Sequence, residues 1–273
     1  MSETLRRSYA DGPYGQVHLL EGGAVDGGRP PLYLLHATAY SSQPFIPLME
    51  RLARSRRVIA PDTPGYGGSD APPGMPPFER YADAFIDLVE RTAGAGCTPV
   101  DVFGYHTGAL IATEAAARRP DLIRSLVLIG IPYYLGDERE ERRAVLAARA
   151  DLTGVLEQFQ ERWDYFITDR TPGLSLERAY ACFVDELRAY PRHWWAHEAL
   201  FDYEPQDRLP LVGCPVLVLN PDNALARPSR EASRILPQAR VVELPGLTSA
   251  IFDLGADVLA GEFERFLEEF DAA

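Results

Sequence analysis

The chain is poor in positive charge, in cysteine and in long apolar runs, and each shortage narrows what it can do. Against 40 Asp and Glu stand 27 Lys and Arg, a formal net charge of −13. That balance argues against binding the polyanionic backbone of nucleic acid or an anionic membrane surface, and it reads as a means of staying in solution. Cys97, Cys182 and Cys214 are scattered and odd in number. With no zinc or redox spacing, they read as reduced, partly buried thiols of a cytoplasmic protein. The opening stretch MSETLRRSYADGPYG has no apolar h-region, so no secretory signal is expected. Apolar runs such as Leu126 to Ile131 are strand-sized, well short of the ~20 residues a membrane helix needs. No internal repeat or low-complexity tract interrupts the chain.

What is present is the composition of a globular protein, 46% apolar and 25% charged over 273 residues. That length suffices for one core with a sizeable insertion. Short apolar runs alternate with amphipathic stretches, the pattern of a parallel sheet covered on both faces. Strands are expected around Gln16–Leu20, Pro31–His36, Arg57–Ala60, Pro99–Phe103, Ser125–Ile131, Pro215–Leu219 and Arg240–Leu244. Helices are expected near Phe45–Ala53, Tyr81–Thr92, Ala109–Ala117, Arg230–Leu236 and Val258–Phe270. Residues 134–210 contain no convincing buried strand and are charged, helical and rich in aromatics. The expected organisation is therefore an α/β core of residues 1–133 and 211–273, with 134–210 as a helical cap inserted after the sixth strand. Such a cap would lie over the C-terminal edge of the sheet, where ligands of these sheets bind.

One stretch carries the chemistry. VFGYHTGAL, residues 102–110, reads as the end of a strand, a sharp turn between Gly104 and Gly108, and the start of a helix. This is the form G-x-Nuc-x-G of a nucleophile elbow, whose central residue is held in a strained backbone conformation at the top of a sheet. The central residue is usually Ser, sometimes Cys or Asp. Here it is His106.

Three landmarks in order resemble the α/β-hydrolase fold superfamily along nearly the whole chain. Leu34-Leu35-His36-Ala37-Thr38-Ala39 is similar to the His-Gly oxyanion loop after the third strand. Ala60-Pro61-Asp62-Thr63-Pro64-Gly65-Tyr66-Gly67-Gly68-Ser69-Asp70 is similar to the family's A-P-D-x-x-G-x-G-x-S turn. The elbow is the third. The resemblance implies a mostly parallel sheet flanked by helices. It also implies an oxyanion hole from the backbone N–H groups of Thr38 (or Ala37) and Thr107. The family's acid falls in Val218-Leu219-Asn220-Pro221-Asp222-Asn223-Ala224, where Asp222 is the carboxylate. The family's L-P-G-x-x-H phrase reads Leu244-Pro245-Gly246-Leu247-Thr248-Ser249-Ala250 and puts Ser249 where His is expected. The usual Ser-His-Asp triad is thus absent, and fold resemblance alone does not give the chemistry.

For His106, the positive end of the following helix disfavours imidazolium, so a neutral ring is expected, serving as nucleophile or general base. The alternative is a residue that only fills a pocket. Ser249 is expected to bond His106 or to line the pocket rather than attack. His36 is expected to brace its loop, with contact to substrate as the alternative, and Asp62 reads as a turn residue. His193 and His197 are four apart, a spacing that could ligate a metal, but no third ligand follows. Tyr105, Tyr133, Trp194 and Trp195 are the aromatic candidates for the pocket, which suggests an apolar or aromatic ligand. The expected function is a cofactor-free enzyme acting on a small, largely apolar carbonyl compound by acyl or C–C hydrolytic chemistry. Two rivals stay open: a non-hydrolytic lyase, isomerase or cyclase on the same fold, and a catalytically inactive ligand-binding protein. The expected partner is a small molecule, with no nucleic acid, no membrane and no metal, and a homodimer is left open.

Overall fold

The computed structural model describes residues 5–24, 29–94, 99–150 and 155–271; Cys97 lies outside them. Eight strands, β1 (Leu5–Gly12), β2 (Gly15–Gly22), β3 (Leu32–Leu35), β4 (Val58–Pro61), β5 (Val100–Tyr105), β6 (Ile123–Ile129), β7 (Val216–Pro221) and β8 (Ala239–Leu244), form one sheet. Their order is β1-β2-β4-β3-β5-β6-β7-β8. β2 pairs antiparallel with β1 and with β4, and every later pairing is parallel.

Strand alternation divides the core in two. Tyr33, Leu35, Val100, Val102, Leu126 and Leu128 point to one face. Leu32, Leu34, Phe103, Val127 and Ile129 point to the other. Helices cover both faces: α1 (Ile46–Leu52), α2 (Glu79–Thr92) and α3 (Thr107–Arg118) arise within the first half. Tyr81, Phe85 and Leu88 form a buried stripe at i, i+4, i+7 on α2, as a helix on a sheet requires. α11 (Ala256–Asp271) closes the second face with Leu259, Phe263, Phe266 and Leu267.

Between β6 and β7 the chain forms α4 (Gly136–Ala150), α5 (Val155–Trp163), α6 (Leu176–Arg188), α7 (Trp195–Phe201) and α8 (Pro205–Arg208). The helical insertion after the sixth strand is therefore present. α9 (Ala226–Ser233) and α10 (Ile251–Leu254) complete the helices. Two local expectations are corrected. The first strand was not anticipated, because β1 is an edge strand burying only Leu5 and carrying exposed Arg6, Arg7 and Tyr9. The helix expected at Arg230–Leu236 starts earlier, at Ala226, and ends at Ser233. Among the described residues no helix is long and apolar enough to cross a membrane.

Candidate functional site

The elbow forms because its two glycines admit a very close approach. A Cβ on Gly104 would lie 2.5 Å from Ala109 Cα, and one on Gly108 would lie 2.2 Å from the Leu35 carbonyl oxygen. Between them His106 takes φ 54°, ψ −118°, a left-handed region that L-residues adopt under constraint. Two hydrogen bonds hold it there. The His106 N–H donates to the Ile129 carbonyl (3.0 Å), and the His106 carbonyl accepts from Ala109 N–H (2.9 Å).

The ring faces a cavity of about 510 Å³, within the range of small-molecule sites. The walls come from the segments after β3, β5, β7 and β8 and from the helical insertion, so the cavity sits at the C-terminal edge of the parallel strands. Tyr40, Tyr105, Tyr165, Phe166 and Phe252 make it aromatic. His197 of α7 stands edge-on to His106, ring centroids 5.3 Å apart at 87°, and is itself stacked on Phe201.

Among the described residues, His106 Nδ1 is buried with no hydrogen-bond partner. Burial, then the neighbouring His197, pushes the His106 pKa down to about 3. The ring is only half-buried, its open part facing the cavity, so the full depression applies where the cavity is dry. Either way the ring is neutral near pH 7.

The other expected residues separate into those that reach this cavity and those that do not. Ser249 and Tyr105 line it. Ser249, however, pairs with Thr171 (Oγ to Oγ1, 2.9 Å) across to the helical insertion rather than with His106. Asp222 does not orient the ring: its side chain is exposed, its N–H donates to Leu247, and its neighbours Asn223 and Ala224 line the cavity instead. No carboxylate of the described residues hydrogen-bonds His106.

Thr38 and Thr107 meet each other. Thr38 N–H donates to Thr107 Oγ1 (2.8 Å), and the two hydroxyls lie 3.0 Å apart. The expected oxyanion donor thus has an internal acceptor already in place. Thr38 lines a smaller adjoining cavity of about 210 Å³, which shares Tyr40, Leu146 and His197 with the larger one.

His36 lines neither cavity. Its Nδ1 pairs with the Ala37 carbonyl (2.9 Å) and its Nε2 accepts from Thr63 N–H (2.8 Å). A neutral ring with its proton on Nδ1 satisfies both bonds. Burial lowers its pKa, against the raising influence of Asp62. Both ring nitrogens of His36 are thus engaged, within its own loop and with Thr63. Asp62 is a turn residue, accepting from Ser42 N–H, Gly68 N–H and His18.

Tyr133 is buried and lines neither cavity, whereas Tyr134 lines the larger. Trp194 lines only the smaller cavity and Trp195 neither, its ring lying against Arg192. His193 stacks on Tyr190, and no cluster of three metal-ligating side chains exists among the described residues. His197 was therefore visible in the sequence only through its spacing to His193, a signal that pointed to a metal rather than to the elbow. Arg142 and Arg170, which also line the larger cavity, gave no signal in sequence.

Comparisons with known proteins agree with this architecture. The α/β hydrolase fold family matches residues 30–168. A pimeloyl-[acyl-carrier protein] methyl ester esterase of Chromobacterium violaceum is 32% identical over 192 residues, 68% of this chain and 67% of that protein. A 2-(acetamidomethylene)succinate hydrolase of Mesorhizobium japonicum is 30% identical over 55% of this chain and 52% of its own length. Among solved structures, a thermophilic esterase from Thermogutta terrifontis superposes with a TM-score of 0.76 at 22% identity, covering 97% of this chain and 98% of the other. At that identity it speaks for the fold alone. Sheet order, elbow and family match lead to one conclusion: the chain belongs to the α/β-hydrolase fold family.

Proposed function

We propose that this chain is a cofactor-free hydrolase acting on a small, largely apolar carbonyl compound, with His106 as its nucleophile. Residues 134–210 act as a cap over a core of 1–133 and 211–273. The observation that carries the reading is an imidazole on a left-handed elbow, facing an aromatic cavity where the family places its nucleophile. Relatives named as a methyl ester esterase and a 2-(acetamidomethylene)succinate hydrolase support carbonyl substrates.

In the proposed step a bare ring nitrogen of His106 attacks the carbonyl carbon and the bond to the leaving group breaks. The proton on the ring's other nitrogen goes to the departing group, with His197 beside it as relay. Water then adds to the acyl-imidazole, releasing the acid and restoring the neutral ring. The Thr107 N–H, at the first position of α3, has no intrahelical acceptor and is the donor nearest to hand for the developing oxyanion. Thr38 N–H joins it only once the Thr107 hydroxyl turns away.

The unpartnered Nδ1 favours a second reading. A buried N–H with no acceptor costs about 1–3 kcal/mol, so the resting proton is better placed on the cavity side. A neutral imidazole at a helix N-terminus can then polarise a carbonyl as a donor, the chemistry of a non-hydrolytic enzyme. His106→Gln separates the two, because an amide donates a hydrogen bond but cannot be acylated. For the nucleophile, hydrolysis of activated aryl esters should fall by about a hundredfold or more. Quenched wild type should carry an acyl group on His106 by mass spectrometry. Activity retained in His106→Gln would assign the donor role instead.

A further inference from the structure

The cavity walls carry two arginines, Arg170 with no carboxylate partner among the described residues and Arg142 with only a long ion pair to Glu138. The Arg170 Nε and Nη1 donate to the carbonyls of Leu174 and Ile167 (both 3.3 Å), which anchors the head group at the cavity wall and leaves Nη2 without a protein acceptor among the described residues. Arg142 lies over the Tyr134 ring at 4.7 Å. Its nearest carboxylate, Glu138, is 3.6 Å away, outside hydrogen-bond range, and is held by Arg227 at 2.5 Å. Among the described residues the one acid lining the cavity, Asp253, is already paired with Arg178 at 2.6 Å. On a chain of net charge −13, two arginines on one cavity are a local reversal of sign that draws anions.

The remaining lining separates into two kinds. Tyr165, Phe166, Leu174 and Phe252 are apolar, while Thr171 and Ser249 sit as a hydrogen-bonded pair beside Arg170 in sequence or space. We infer that the substrate is a carbonyl compound carrying a carboxylate: the carbonyl meets His106, an apolar spacer lies on the rings, and the carboxylate is held by Arg170, with the Arg142 charge on the same cavity adding a weaker attraction. This rests on reading the cavity as the substrate site and adds the class of molecule it admits. A guanidinium fork suits a carboxylate better than it suits any neutral polar group.

The test is equilibrium binding, which needs no turnover. Glutaric acid monoanilide and neutral pentananilide are titrated into the full-length protein by calorimetry at low salt. The carboxylate ligand should bind at least about tenfold tighter, as a charge-assisted pair implies, and the advantage should shrink as salt is raised. Arg170→Gln should remove most of that advantage while leaving pentananilide affinity unchanged, and Arg142→Gln should remove a smaller part. Both substitutions are at exposed side chains, and unchanged melting temperatures confirm intact folds. Equal affinities, no binding of the monoanilide, or a preference that survives both substitutions would overturn the assignment. A failure to find acyl-His106 leaves this result standing, and equal affinities here leave hydrolysis standing, so the two readings fail separately.

Discussion

At the scale of single residues, the Thr38–Thr107 contact decides how ready the site is. An oxyanion hole works by presenting donors that need not reorganise. Here Thr107 Oγ1 already accepts the Thr38 N–H and lies 3.0 Å from the Thr38 hydroxyl. The hydroxyl keeps a part-buried donor satisfied. Thr107→Val keeps the shape of the side chain and removes the acceptor. It should destabilise the fold by about 1 kcal/mol, the low end for a stranded donor because Thr38 is only part-buried, read as a lower urea midpoint. Thr107→Ser retains the acceptor and should lie within about 0.5 kcal/mol of wild type, the usual range of mild substitutions. Equal stability of the Val and Ser variants would mean that the bond carries no weight. None of this was legible in the sequence. The phrase around Ala37–Thr38 implies a backbone donor, but what that donor faces is set by a residue on another element.

At the scale of elements, the parallel strands were readable because burial on both faces leaves a continuous apolar run, as in β3, β4 and β7. β1 was not, since an edge strand keeps polar residues on its open side. The same contrast governs the site. The elbow is local, so Gly104, His106 and Gly108 announce it. The pairing of His106 with His197 depends on how α7 packs over the sheet, and Asp222 was misassigned because a register of one or two residues decides whether a loop side chain meets the cavity or solvent. Glycine substitutions test the local part. Gly108→Ala drives a Cβ to 2.2 Å from the Leu35 carbonyl oxygen, a backbone atom that cannot step aside, and should abolish the cooperative fold or cost several kcal/mol. Gly261, inside α11, meets nothing within 4 Å. Gly261→Ala should therefore stabilise the protein by about 0.5–1 kcal/mol through lost unfolded-state freedom. If thermal melts rank the two variants the other way, the close packing of the elbow against β3 is wrong.

At the scale of the whole molecule, acid sets two effects against each other. All 27 basic residues are arginine and the net charge is −13, so protonating surface carboxylates relieves self-repulsion and favours the compact state at first. Two histidines, buried His36 and half-buried His106, oppose this. His36 and His106 both have pKa values lowered by burial, His106 to about 3. Below about 6.5, the ordinary imidazole value, the unfolded chain takes up protons that the native rings refuse. Stability therefore falls as pH drops through that window, by at most about 1.4 kcal/mol per pH unit for each ring. Asp185 acts in the other sense at lower pH. Burial raises its pKa although Ser41 donates to both of its oxygens, so the native state is protonated first and gains stability on acidification. His106→Gln isolates one contribution without altering the net charge at pH 7. Between pH 7.5 and 5.5, urea unfolding of wild type should show a decline that is shallower in His106→Gln by up to one proton's share. The two curves should run parallel above pH 7, where neither folded nor unfolded His106 is charged. Identical slopes across the acidic window would place the native His106 pKa near its ordinary value, and the ring would then be a solvated imidazole able to act as a general base at neutral pH.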